Sequence, residues 1–187
     1  MNKLLAILLA AIVACASDRS TAQTANDAFA LHAEDGRRFM QVLLAEISAA
    51  DQVFVREHSF ELDLYDPQSG TSLIDDPIVY ENREIDAAQR KELVDLLSSA
   101  DLKTEMSASL CIFAAHHSVV FYTAGAESSR LEICFGCGEV RWIKANYLPP
   151  AGLVQALSTF VTSIGLKPER DWAKLAKAHI GRGNRLD

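Results

Sequence analysis

Apolar residues along this chain recur with two different spacings, and those spacings divide it into helices and strands. Between Glu34 and Ala50 they fall at Phe39, Val42, Leu43, Leu44 and Ile47, which predicts a helix over 35–48 with one buried face and Asp35 as its cap. Val53 to Val55 forms a short apolar run. Phe60, Leu62 and Leu64 then alternate with Glu61 and Asp63, predicting a half-buried strand over 59–65. Asp66 to Gly70 reads as a turn, Asp75-Asp76-Pro77 as a break, and Ile78 to Tyr80 as a brief extended stretch. Helical spacing returns at Leu93, Leu96 and Leu97, with Asp86 and Gln89 placed as a capping box for a helix over 86–98. Leu110 to Phe113 suggests one more short strand. Two runs rich in Val, Ile, Phe and Tyr follow, Ser118–Thr123 and Leu131–Phe135, on either side of a polar connection containing Gly125, Ser128 and Ser129. This is a hairpin pattern. After Pro149-Pro150, the residues Leu153, Leu157, Phe160, Val161 and Ile164 predict a helix over 150–164 closed by Gly165. Pro168 opens a last helix over 169–179, with Trp172, Leu175 and Ala176 or His179 on its inner side.

Together these elements predict an α+β fold, with a small antiparallel sheet of three or four strands packed against about four helices. No repeat or linker divides the chain, so residues 34–180 read as a single domain followed by a tail at 181–187.

The N-terminus follows a different pattern. Lys3 precedes an unbroken apolar run from Leu4 to Ala14, far short of the roughly 20 residues that span a bilayer. Ile12-Val13-Ala14-Cys15 is similar to the bacterial lipobox, which implies a signal peptide at 1–14 and acylation of Cys15 by chains such as palmitate. Cleavage of an ordinary secretory signal, after Ala16 or Ala22, is the plainer alternative. Residues 15–33 are mostly small and polar and suit a tether. The expected address is therefore the bacterial cell envelope, with the main domain outside the cytoplasm and a lipid anchor in a membrane. Paired cysteines are plausible in such a compartment.

The hydrophobic fraction of 49% supports a real core, and the net charge of −7 disfavours a nucleic-acid partner. The chemistry of interest gathers around the hairpin. Cys134 and Cys137 form a CxxC, Cys111 lies upstream, and His116 and His117 begin the first strand. If the hairpin turns near Ala126-Glu127, Cys134 faces Val119 with His117 diagonal to it, and Cys137 falls near His116. Four arrangements suit these residues: a disulfide among Cys111, Cys134 and Cys137; a metal site, zinc for example, drawing on Cys111, His116, His117, Cys134 and Cys137; a redox thiol; or simple packing of small sulfur side chains. Redox CxxC pairs usually open a helix, whereas this one ends a strand. Glu132 shares a face with Cys134. Glu57-His58-Ser59 is a second polar cluster whose Glu57 and His58 are candidate accessories. Neighbours in an extended chain point apart, so that run by itself cannot build a catalytic triad.

His117 to Tyr122 (H-x-x-x-F-Y) followed by Glu132 to Gly138 (E-I-C-F-x-C-G) resembles a group of uncharacterised exported or lipid-anchored bacterial proteins. The likeness covers residues 108–142. It extends to an upstream cysteine like Cys111 and departs at Ala115, where that group carries a proline. It implies the hairpin and export, and it implies no reaction. The expectation for function is a lipid-anchored envelope protein that binds an envelope partner or has a structural role, its Cys/His corner stabilising the hairpin. The alternative is a metal- or thiol-dependent envelope enzyme.

Overall fold

A computed structural model describes residues 32, 34–74, 76–104 and 110–183. The signal segment, Cys15 and nearly all of the proposed tether lie outside them. The elements run in the order α1 (Asp35–Ala49), β1 (Gln52–His58), a 3-10 turn (Glu61–Leu64), β2 (Tyr65–Asp66), β3 (Thr71–Ser72), β4 (Val79–Glu84), α2 (Ala87–Ser98), β5 (His117–Thr123), β6 (Ala126–Cys134), β7 (Glu139–Trp142), α3 (Leu153–Ser163) and α4 (Trp172–Gly183). Five strands make one antiparallel sheet in the order β4-β1-β5-β6-β7, and β2 pairs with β3 as a separate ribbon. The architecture is α+β, as the periodicities predict, but the sheet is wider than expected. β7 is an addition, because four residues, Glu139 to Trp142, are too short a run to stand out by alternation.

Antiparallel partners point to the same face, so the register identifies both sides of the sheet. One side carries Val53, Val55 and Glu57 of β1, then Phe121, Val119 and His117 of β5, Leu131 and Ile133 of β6, and Val140 and Trp142 of β7. Phe39, Leu43 and Ile47 of α1, Leu93 and Leu97 of α2, and Leu153, Leu157 and Phe160 of α3 join this face in a single core. Each such side chain contributes about 1.5–3 kcal/mol by leaving water. The other side carries Arg56, His58, Ser118, Val120, Arg130, Glu132 and Arg141 and has no helix layer in the core cluster.

Four local expectations are corrected. Leu110 to Phe113, expected as a short strand, lies in a loop without regular structure. Residues 59–65 are not a strand. The Asp63 carboxylate accepts the Phe60 N–H at 2.9 Å and caps a 3-10 turn, leaving Leu62 exposed. Asp35 does not cap α1 from outside; it lies within the first turn, bonds His32 at 2.8 Å and accepts the Leu148 N–H at 3.3 Å. The hairpin turns earlier than Ala126-Glu127. Ala124 and Gly125 both have positive φ (52° and 79°), as a two-residue type I′ connection requires. With the bulge at Phe121/Tyr122, the net slip is odd. Val119 therefore pairs with Leu131, and Ile133, not Cys134, shares the inner face with His117.

The capping box of α2 forms as predicted: Asp86 Oδ1 accepts from Ala88 and Gln89, and Gln89 returns a bond to the Asp86 N–H. Gly165, with φ of 81°, closes α3. A strap, residues 101–104, is pinned between α1 and α3. A Cβ on Gly36 would come within 2.3 Å of the Leu102 carbonyl oxygen, and one on Gly152 within 2.5 Å of the Asp101 nitrogen. Among the described residues no helix is long and apolar enough to cross a membrane.

Candidate functional site

At the end of the sheet where β1 finishes and β5 begins, polar groups enter the core. Alternation carries Val53 and Val55 inward and continues to Glu57, which is 1% exposed, directly opposite His117, which is 0% exposed. The carboxylate is answered from the segment before α4. Its Oε1 accepts the Lys167 N–H at 3.0 Å and its Oε2 accepts from the Arg170 guanidinium at 2.6 Å. His117 Nε2 stands 3.6 Å from Oε1, beyond hydrogen-bond reach, and both ring nitrogens lack a partner. Burial pushes the Glu57 carboxyl up. The facing His117 ring, the Lys167 amide and Arg170 outweigh that and bring it down to about 2.

Trp172, the first residue of α4, closes this end. His116 stacks on it with centroids 4.4 Å apart, and His117 meets it edge-on at 5.5 Å. Tyr80 of β4 stacks on Trp172 at 6.3 Å, and Phe135 packs edge-on to His117 at 5.0 Å. His116 Nε2 lies 2.8 Å from Asp63 Oδ1, so one carboxylate both caps the 3-10 turn and holds this imidazole. The two histidines leave the strand in opposite directions, yet both rings touch the same indole. Their joint work is to seat α4 on the sheet.

The cysteines resolve into one pair and one remainder. Cys111 and Cys137 are joined by a disulfide with Cα atoms 5.7 Å apart, and Cys134 is a buried free thiol at 3% exposure. The Cys137 N–H donates to Cys134 Sγ at 3.3 Å. This pairing spends two of the three sulfurs proposed for zinc. Among the described residues no three His, Cys, Asp or Glu side chains converge as a metal would need. The Cys/His set therefore does not fit a zinc centre in this oxidised form. The bridge instead ties residues 110–116 to the β6–β7 turn, and it leads the loop back across the sheet's outer face.

That loop walls a cleft of about 300 Å³. The floor comes from strands: Arg56 and His58 of β1, Arg130 and Glu132 of β6, and Arg141 of β7. Phe113, Phe60 and Val79 supply apolar walls. The charges are unequally occupied. Arg56 donates to Asn82 and Tyr122, and Arg130 grips Glu127 through two nitrogens. The Arg141 guanidinium lies 4.0 Å from the Phe113 ring centre. Burial holds His58 below the ordinary histidine range. Its Nδ1 is 3.0 Å from the Ser59 carbonyl oxygen, which can only accept, so Nδ1 carries the proton and Nε2 presents a lone pair. Nε2 is buried without a partner, as is the hydroxyl of Ser118, which sits between Arg56 and Glu132 in their shared row.

Nothing matches this chain among family models, curated proteins or solved structures. The site rests on its own geometry. Glu57, His58 and Glu132, read from sequence as accessories, fall into two places: Glu57 with His117 in the sheet-end lock, His58 and Glu132 in the cleft. Asp63, Arg170, Trp172 and Arg141 were not anticipated. The alternation of Arg130 with Glu132, and of Arg56 with His58, carried the usable signal, since charges two apart in a strand share a face. Arg170 gave none and Trp172 read only as an inner position of the last helix, because their partners lie more than 50 residues away in the chain.

Proposed function

We propose that this is an exported bacterial envelope protein, anchored by lipid at Cys15, whose folded domain binds a ligand or partner and whose Cys/His corner is structural. The observation that carries this reading is the Cys111–Cys137 bridge. Disulfides persist in oxidising compartments, which accords with an apolar leader ending in Ile-Val-Ala-Cys. The likeness of residues 108–142 to exported and lipid-anchored proteins points the same way. The bridge also favours binding over thiol chemistry. Cys111 and Cys137 are spent on each other, and the thiol that remains, on Cys134, is packed against Phe113 and Ala115. The cleft, by contrast, is open and carries polar groups without partners.

Acyl labelling of the full chain in a bacterial host tests the anchor. The wild type should take up labelled palmitate and fractionate with membranes. Cys15→Ser should lose the label and appear in the soluble fraction. Equal labelling of the two would overturn the lipid assignment.

A further inference from the structure

The outer-face cleft contains two opposite charges that no hydrogen bond or ion pair joins. Glu132 and Arg141 are direct cross-strand partners, and both line the cleft. Opposite charges so placed ordinarily pair. Here neither side chain makes a hydrogen bond or ion pair with the described residues, and the guanidinium lies over Phe113 instead. The other two arginines are hydrogen-bonded elsewhere, Arg130 to Glu127 and Arg56 to Asn82 and Tyr122, and Glu132 acts on Arg130 only through space. The cleft thus offers one cation, Arg141, and two carboxylates, Glu132 and Glu61, whose side chains no hydrogen bond or ion pair with the described residues occupies. Phe60, Val79 and Phe113 give these groups an apolar wall, and the volume of about 300 Å³ stands at the lower bound for small-molecule sites.

We infer that this cleft binds a small zwitterion, an apolar α-amino acid. Its carboxylate lies on Arg141, its ammonium on Glu132, and its side chain against Phe113 and Val79. A simple anion fits less well, because Glu132 would face it unpaired. A simple cation fits less well because of Arg141. Only a ligand carrying both charges leaves neither residue unanswered when water is displaced. Phe113 is held at the wall by the loop that Cys111–Cys137 fastens, so the disulfide preorganises the apolar side of the site. This inference rests on the binding reading above but not on the lipid anchor.

Calorimetric titration of the full chain with L-alanine, L-valine and L-leucine tests it, with 4-methylpentanoate and 3-methylbutylamine as probes lacking one charge. Saturable binding of at least one amino acid is expected. Each single-charge probe should bind at least about tenfold more weakly, the consequence of losing one charge-assisted hydrogen bond. Glu132→Gln and Arg141→Gln should each weaken amino-acid binding by a similar factor with circular dichroism unchanged. Three results would overturn the assignment: no saturable heat with any amino acid, 4-methylpentanoate binding as tightly as L-leucine, or unaltered affinity in both variants. A flat titration alongside intact acyl labelling would remove the ligand and leave the anchored-domain reading. Saturable binding with unlabelled Cys15 would do the reverse.

Discussion

Glu57 shows how one residue can occupy a core position and remain charged. Its strand parity demands an inward side chain, and what makes the position tolerable is the Lys167 amide and the Arg170 guanidinium arriving from more than 100 residues away. A carboxyl whose folded pKa is about 2 and whose ordinary value is 4.5 stabilises the fold fully above pH 4.5, and that stabilisation is lost as pH falls toward 2. Integrated over the whole range it amounts to about 3 kcal/mol, of which about 2 kcal/mol should be gone by pH 3. Urea midpoints at pH 7 and pH 3 check this. Glu57→Gln should be less stable than wild type at neutral pH and should show a shallower loss on acidification by about that amount. Parallel pH profiles for the two proteins would show that Glu57 is not the group responsible. A second residue is strained rather than charged. Ala124 adopts φ of 52° to satisfy the hairpin turn. Ala124→Gly should raise stability by about 0.5–1 kcal/mol, because glycine enters the left-handed region without the Cβ penalty. Thermal melting would read this as a rise in Tm, and a fall would count against strain at the turn.

At the scale of elements, the fold's legibility followed the length of each periodic run. The helices over 35–49, 87–98 and 153–163 were written in three-and-four spacing, and their caps at Asp86 and Gly165 could be read in advance. The segment 59–65 misled because Phe60, Leu62 and Leu64 alternate like a strand. Asp63 decided otherwise by bonding Phe60 locally and His116 at long range, a choice no window of seven residues contains. The hairpin existed as expected, but its register turned on whether Ala124 would accept positive φ, which residue propensity argues against. Register in turn settled the site, since an odd slip moved Cys134 away from the His117 face. The last helix depends on contacts more than on pattern. Trp172 carries it against His116 and His117, so Trp172→Ala should cost about 3–5 kcal/mol and release α4 ahead of the main transition. Hydrogen exchange that remained as slow in α4 as in β5 of this variant would show that other contacts hold the helix.

The whole molecule is arranged as one closed face and one open face of a single sheet. α1, α2 and α3 seal the inner face with a continuous core. The outer face relies on a loop, residues 110–116, which has no regular structure and leaves Leu110 and Ile112 exposed. Such a loop keeps a fixed place only if something external to its own packing holds it, and the Cys111–Cys137 bridge does so across a sequence separation of 26. Constraining the unfolded chain over a loop of that size is worth about 3 kcal/mol. Two consequences should then separate. Cys111→Ser, and equally Cys137→Ser, should lower global stability by about 2–4 kcal/mol. Both should also loosen Phe113 over Arg141 and so weaken occupancy of the cleft, while Glu57, His117 and Trp172 at the sheet end stay ordered. Tryptic fragments without reductant should show 111 and 137 linked and Cys134 alone alkylated. With chymotrypsin, reductant should make cuts appear after Leu110 and Phe113 before any appear in α1 or β5. If reduction instead opened the whole domain at once, the bridge would be a staple for the entire fold and not the fastening of one wall.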